Sequence, residues 1–229
     1  MNTPIFADRR DAGRRLAAKL GKYRGREDCI VIALPRGGVV VGFEVAKALG
    51  LPLDVCIVRK LGAPYQPELA MGAVAMGGVT VLHPDVISEL GITDEEVKHE
   101  AGLETAELRR RERAYRGDRP MPPLSGKTIL LVDDGIATGA TAEAAIEALR
   151  RLGARHLVIA VGVAAPDTLA RLSRSADGAV AVLKPFELSS IGEWYEDFTQ
   201  TSDMEVVELL GRAAARQVGS EIAVSDSGG

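Results

Sequence analysis

Thr128-Ile129-Leu130-Leu131-Val132-Asp133-Asp134-Gly135-Ile136-Ala137-Thr138-Gly139-Ala140-Thr141 joins an apolar run, two adjacent carboxylates and a Gly/Thr turn that opens a helical pattern. Thr128 to Val132 reads as the cleanest buried strand of the chain. Ala140 to Leu152 reads as a helix with Ile146 and Leu149 inward and Gly153 at its end. The start of such a helix offers unpaired N–H groups and the positive end of the helix dipole, so the turn suits an anion. Gly139 permits close backbone approach, and Thr138 and Thr141 add hydroxyl donors. Asp133 and Asp134 would repel a phosphate beside them, whereas two neighbouring hydroxyls can each donate to a carboxylate oxygen. A phosphate on one side and a vicinal diol on the other describe ribose 5-phosphate. The place is right as well, because open α/β sheets bind ligands at the carboxyl ends of their strands.

Outward from this stretch, the apolar run Cys29 to Ala33 meets Leu34-Pro35-Arg36-Gly37-Gly38, a helical pattern follows to Leu49, and Leu53 to Val58 reads as the next strand. Strand, turn, helix, strand at this spacing is a βαβ unit with parallel pairing and a right-handed crossover. Successive amides around Gly37 and Gly38 can form an anion nest, to which Arg36 adds charge. Further strands are expected at His156–Val161 and Ala179–Leu183, with helices over 8–20, 166–173 and 203–216. Between residues 59 and 82, Gly62, Pro64, Pro67, Gly72, Gly77 and Gly78 break up the apolar pieces, which predicts a β-like excursion outside the main sheet. Thr93-Asp94-Glu95-Glu96 is a capping box opening a largely exposed helix to Tyr115. These elements predict an α/β fold: one domain over residues 1–218, with a central, mostly parallel sheet and helices on both faces. The small polar stretch 219–229 is expected to be a disordered tail.

The composition narrows the function classes. The chain has 229 residues, of which 46% are hydrophobic but only 4% aromatic, so Val, Ile, Leu and Ala must make the core, as a buried parallel sheet requires. A net charge of −4 argues against a general nucleic-acid or membrane binder. Six arginines between Arg109 and Arg119 could suggest nucleic acid. Glu107 with Arg111 and Glu112 with Arg116 fall at i,i+4, however, the pattern of a solvated helix face. Cys29 and Cys56 read as reduced core thiols, and His83, His99 and His156 as structural. With no apolar span and a charged N-terminal stretch from Met1 to Arg15, a cytoplasmic protein is expected.

Asp133-Asp134-Gly135-Ile136-Ala137-Thr138-Gly139-Ala140-Thr141 after its apolar strand resembles the phosphoribosyl pyrophosphate (PRPP) motif of type I phosphoribosyltransferases. The Pro35–Gly38 turn resembles that family's pyrophosphate loop. Val58-Arg59-Lys60-Leu61-Gly62-Ala63-Pro64, Pro67–Ala73 and the Trp194-Tyr195 segment resemble a subgroup of it, so the likeness spans nearly the whole chain. It implies that Asp133 and Asp134 hold the ribose diol and Ala137, Thr138, Gly139, Ala140 and Thr141 the 5′-phosphate. Arg36, Gly37 and Gly38 would hold pyrophosphate, and Arg36, Arg59 and Lys60 would assist its departure. It also implies a hood, formed by about 59–82 and 184–201, in which Trp194 and Tyr195 either cover an acceptor ring or pack a small core.

The implied reaction is attack of a nitrogen nucleophile on C1 of PRPP, with inversion and loss of pyrophosphate. Positioning and cations carry such chemistry, with Mg²⁺ held mainly by substrate oxygens and water. In hypoxanthine/guanine-type members the fifth motif position is a carboxylate that assists proton transfer. Here it is Ala137, as in the adenine-type loop, so the loop supplies no general base. The implied partners are PRPP and a small-molecule acceptor, and a homodimer is compatible with the resemblance. A non-catalytic regulator that kept the PRPP pocket is the alternative, and Arg36, Arg59 and Lys60 on the leaving-group side favour the enzyme. A response-regulator receiver also pairs acids after a strand, but that pair follows the first strand, and Asp177 does not end a core strand as a receiver would need. No P-loop or dinucleotide fingerprint occurs.

Overall fold

The computed structural model describes residues 5–226, with side chains described from 5 to 217. Helix α1 (Arg9–Lys19) starts on the side chain of Asp8, which accepts from the Asp11 N–H. Strand β1 (Cys29–Ala33), helix α2 (Gly37–Leu49) and strand β2 (Leu53–Val55) form the first βαβ unit. Strand β6 (Thr128–Ile136), helix α5 (Ala140–Arg151), strand β7 (His156–Ala164), helix α6 (Pro166–Leu172) and strand β8 (Gly178–Leu183) form the next two. All five strands pair in parallel in the order β2-β1-β6-β7-β8. From β1 the chain thus steps one way to β2, while from β6 it steps the other way to β7 and β8. Right-handed crossovers in opposite directions put α2 on one face and α5 and α6 on the other. The core accordingly divides in two. Val31 and Ala33 of β1 and Leu130 and Val132 of β6 join the α1–α2 side, whereas Ile30, Ile32, Ile129 and Leu131 join the α5–α6 side. The reversal leaves a crevice beyond the carboxyl ends of β1 and β6, the topological switch point at which such sheets bind ligands.

Strand boundaries differ from the sequence expectation at β2, β6 and β7, the last continuing past Val161 to Ala164. Leu53–Val58 is not one strand: β2 stops at Val55, and after Cys56 and Ile57 the chain enters a separate antiparallel sheet. That sheet comprises β3 (Val58–Ala63), β4 (Gln66–Ala75) and β5 (Val79–Leu82). The apolar run Val55 to Val58 hides the corner, since each of its residues suits a strand. Strand β6 continues past Val132 to Ile136, so the two acids lie inside a strand and not at its end. The β-like excursion outside the main sheet is present as this small sheet.

Helix α3 (Pro84–Glu89) leads to α4 (Asp94–Arg116), which opens with the expected capping box between Thr93 and Glu96. The C-terminal end of α4 departs from a solvated face, because Tyr115 and Arg116 are buried. The Arg116 Nε lies 3.0 Å from an oxygen of the buried Asp54 on β2, and its guanidinium also donates to the Val55 carbonyl at 2.8 Å. Burial pushes the Asp54 carboxyl above its ordinary range, and the Arg116 charge draws it back. The last helix, α7 (Asp203–Asp226), extends beyond its expected end. Of the expected tail, residues 219–226 are helical in backbone and 227–229 lie outside the described residues. No helix among the described residues is long and apolar enough to cross a membrane.

Because the Asp54 carboxylate depends on one buried cation, Arg116→Leu is expected to lower unfolding free energy by about 3–5 kcal/mol. Adding Asp54→Asn should recover much of that loss in urea titrations. Equal stability of the single and double variants would show that the buried charge is not the cause.

Candidate functional site

The acids Asp133 and Asp134 sit on β6 at the switch point, and their surroundings keep two adjacent carboxylates at close quarters. The Asp133 carboxylate accepts from the Asp134 N–H at 2.9 Å. Enclosure by protein and the neighbouring Asp134 charge push the Asp133 carboxyl well above the usual carboxylate range, while the Arg9 guanidinium draws it back. Asp134 is buried, and its Oδ2 accepts from Arg9 Nε at 2.7 Å. The Asp134 carbonyl accepts from the Tyr195 hydroxyl at 2.6 Å. That last bond needs Gly162 on β7, since a Cβ there would lie 2.5 Å from both the Asp134 oxygen and the Tyr195 hydroxyl.

The turn after β1 closes on the same pair. Leu34 N–H donates to the Val132 carbonyl at 2.9 Å, the Pro35–Arg36 peptide is cis, and Gly37 and Gly38 begin α2. A Cβ on Gly37 would come within 2.0 Å of an Asp134 carboxylate oxygen. One on Gly38 would be 2.9 Å from both Asp133 Cα and the Val132 carbonyl. These two positions therefore require glycine for contact with the acids, whatever ligand the turn receives. Arg36 stands beside them but is turned towards α7, with Nη1 3.7 Å from Asp203.

The loop after β6 is braced from α6. Gly139 takes φ of +85° as it caps α5, a conformation that favours glycine. Thr168 Oγ1 donates to the Ala137 carbonyl at 3.2 Å, and Arg171 donates to the Thr138 carbonyl while pairing with Glu143. Among the described residues no hydrogen bond engages the N–H groups of Thr138, Gly139, Ala140 or Thr141. The carbonyls are held away and the amides stay free, as an anion site needs.

Other expected site residues fall elsewhere. Neighbouring positions on β3 face opposite ways. Arg59 pairs with Glu104 of α4, whereas Lys60 faces α5 across a cavity of about 520 Å³ that Thr141 also lines. Lys60 Nζ donates to the Glu68 carbonyl at 2.9 Å. Tyr195 is buried, with its ring centroid 5.0 Å from that of Phe6 and 4.9 Å from that of Phe198, which leaves it no face for an acceptor ring. Trp194 is half-buried beside the same core, and its Nε1 is buried without a partner among the described residues. Phe186, three residues beyond β8, is 93% exposed at the edge where the strands end. Local patterning gave no signal for Arg9, Thr168 or Arg171, because their roles arise only when distant segments meet. The Asp8 cap, which places Arg9 in the first turn of α1, was the one available clue.

Two measurements test this account. Gly38→Ala must displace backbone and is expected to cost about 1–3 kcal/mol in urea unfolding; an unchanged midpoint would contradict the close approach. Asp133 binds its proton more tightly folded than unfolded, so its contribution to stability is present at low pH and is lost as pH rises through the raised folded value. Asp133→Asn should therefore melt above the parent at neutral pH, with the gap closing towards about pH 4, near the unfolded carboxylate value. A gap that is constant with pH would count against the enclosed pair.

Residues 5–185 match the family model for the phosphoribosyl transferase domain. A Mycobacterium tuberculosis protein named provisionally as a phosphoribosyl transferase is 46% identical over 209 residues, covering 91% of this chain and 47% of that protein. The chain thus spans about half the length of this curated relative. An adenine phosphoribosyltransferase from a Chelativorans species is 43% identical over 63 residues, covering 27% of this chain and 35% of that enzyme. Among solved structures, the TT1426 protein of Thermus thermophilus aligns at 43% identity with a TM-score of 0.80, over 90% of this chain and 97% of that one. With its five-stranded parallel sheet, separate small antiparallel sheet and acid pair at the switch point, the chain belongs to the phosphoribosyl transferase domain family and has the type I fold.

Proposed function

We propose that this chain transfers ribose 5-phosphate from PRPP to a nitrogen acceptor and releases pyrophosphate. The observation that carries the reading is the placement, at one switch point, of the Asp133–Asp134 pair, the free amides of Thr138 to Thr141 and the turn at Gly37 and Gly38. The loop amides would receive the 5′-phosphate, the acids the 2′- and 3′-hydroxyls, and the glycine turn with Arg36 the pyrophosphate. In the reaction the acceptor nitrogen's lone pair forms a bond to C1 as the C1–O bond to pyrophosphate breaks, and the bond electrons leave with pyrophosphate. The chain then needs no nucleophile of its own; it aligns the two partners and holds the ring as positive charge develops at C1.

Mg²⁺ belongs to the proposal as an ion carried by pyrophosphate oxygens and water, where it would offset leaving-group charge. On this reading its ligands come from the substrate and water. Lys60, which lines the same cavity as Thr141 and among the described residues is held only by Glu68 of its own hairpin, is the better placed of the two β3 cations, because Arg59 pairs with Glu104 of α4. On the acceptor side, the exposed ring of Phe186 in the chain segment that follows β8 offers a stacking face that Tyr195 does not. The engagement of Arg36 by Asp203 and Arg59 by Glu104 is what favours the second reading, a PRPP-binding regulator without turnover.

Pyrophosphate release from PRPP and Mg²⁺ across a panel of nucleobases and small amines decides between the two: turnover with any acceptor supports transfer, whereas binding alone supports the regulator. Asp134→Asn should weaken PRPP binding by about 1.5–3 kcal/mol in calorimetry, the value of a charge-assisted hydrogen bond. Gly139→Val should impair ribose 5-phosphate and PRPP alike, and Arg36→Ala only PRPP and pyrophosphate. Parent-like affinities in all three variants would refute the assignment.

A further inference from the structure

Arg9 lies outside every motif discussed above, yet its guanidinium meets three parts of the site. Its Nε donates to Asp134 Oδ2 at 2.7 Å, with both side chains nearly buried at 11% and 12% exposure. Its Nη1 donates to the Thr199 carbonyl at 2.7 Å, and its guanidinium carbon stands 3.8 Å from the centre of the Phe198 ring. A Cβ on Gly37 would also lie 2.7 Å from its Nε, so the glycine turn borders it too. The segment 194–199 that it touches is tied again to the chain just before α1. Phe6 N–H donates to the Trp194 carbonyl at 2.9 Å, Glu196 N–H to Phe6 at 2.8 Å and Asp197 N–H to Ala7 at 3.0 Å.

We propose that Arg9 is a positioning residue that fixes the Asp134 carboxylate and fastens the 194–199 strap to it, so that one side chain sets both the diol acceptor and its cover. The planar fork suits this task. Its separate N–H groups reach a carboxylate and a carbonyl while its face rests on an aromatic ring, a combination lysine cannot reproduce. Its charge also counters one of two adjacent carboxylates that would otherwise resist ionising together. The other groups facing the pair are the Tyr195 hydroxyl, which donates to the Asp134 carbonyl, and Asp11 of α1 beyond it. Neither supplies positive charge. The part of the proposal that concerns ribose rests on the phosphoribosyl reading; the pairing itself does not.

The test uses the full chain as Arg9→Gln and Arg9→Lys. In the free protein, the Asp133 carboxyl carbon followed by NMR should titrate at higher pH in Arg9→Gln and return towards the parent in Arg9→Lys, which restores charge but not the fork. Amide exchange at Glu196 and Asp197 should rise about tenfold in both variants, with β7 unchanged. PRPP affinity in Arg9→Gln should fall about tenfold at the low end of a pH series and recover as pH rises, because the Asp133 carboxyl regains its negative charge. A merely structural role would weaken binding equally at every pH. Identical titrations in all three proteins, or unchanged exchange in the strap, would overturn the proposal. If the parent itself fails to bind PRPP, the phosphoribosyl reading falls, while the ligand-free titration and exchange still judge Arg9.

Discussion

Two carboxylates on consecutive residues of a buried strand repel one another, and the rest of the site is arranged around that repulsion. β6 runs through the centre of the sheet, so Asp133 and Asp134 cannot both turn to bulk water. Glycines at 37 and 38 let the neighbouring turn close on them, Arg9 supplies one countercharge, and Gly162 lets Tyr195 take the Asp134 carbonyl. Each of these concessions removes side-chain bulk or adds a bond where an ordinary core would use a methyl group. A strand with Val at both positions would fold with fewer demands, which is the usual mark of a place kept for binding.

What was legible in the sequence follows from how local each signal is. The βαβ units, the capping box at Thr93 and the helix after Gly139 depend on neighbours within a turn or two, and the periodicity shows them. The acid pair and loop were legible because their chemistry is contiguous from Asp133 to Thr141. The corner at Cys56–Ile57 was hidden by an apolar run equally suited to one strand or two. The i,i+4 pairing of Arg116 with Glu112 is real and points to a solvated face; the Asp54 beneath it lies 62 positions away in the chain. Arg9, Thr168 and Arg171 were missed for the same reason. The residues that brace a site come from wherever the fold brings them.

The sheet order explains why so many segments converge. Since β1 and β6 are adjacent but their connections diverge, the loops after them face each other across an open crevice with no helix between. The strap 194–199 enters after the last strand and the segment 6–9 before the first, and their mutual hydrogen bonds tie these distant segments together beside the acids. Support for the acids therefore depends on nearly the whole chain being folded.

The small antiparallel sheet stands in a different relation to the rest. It is inserted between β2 and α4, pairs only with itself, and turns at its tip through Pro64 and Tyr65, where Tyr65 is 88% exposed. Lengthening such a turn costs little loop entropy, since that cost grows only logarithmically with length. The hairpin can therefore be redrawn in relatives without disturbing the central sheet. Because Lys60 on it lines the same cavity as Thr141, each redrawing changes what stands over the loop after β6 and leaves the acid pair untouched. The fold thus separates a part that its own packing holds constant from a part whose length and sequence are free to drift.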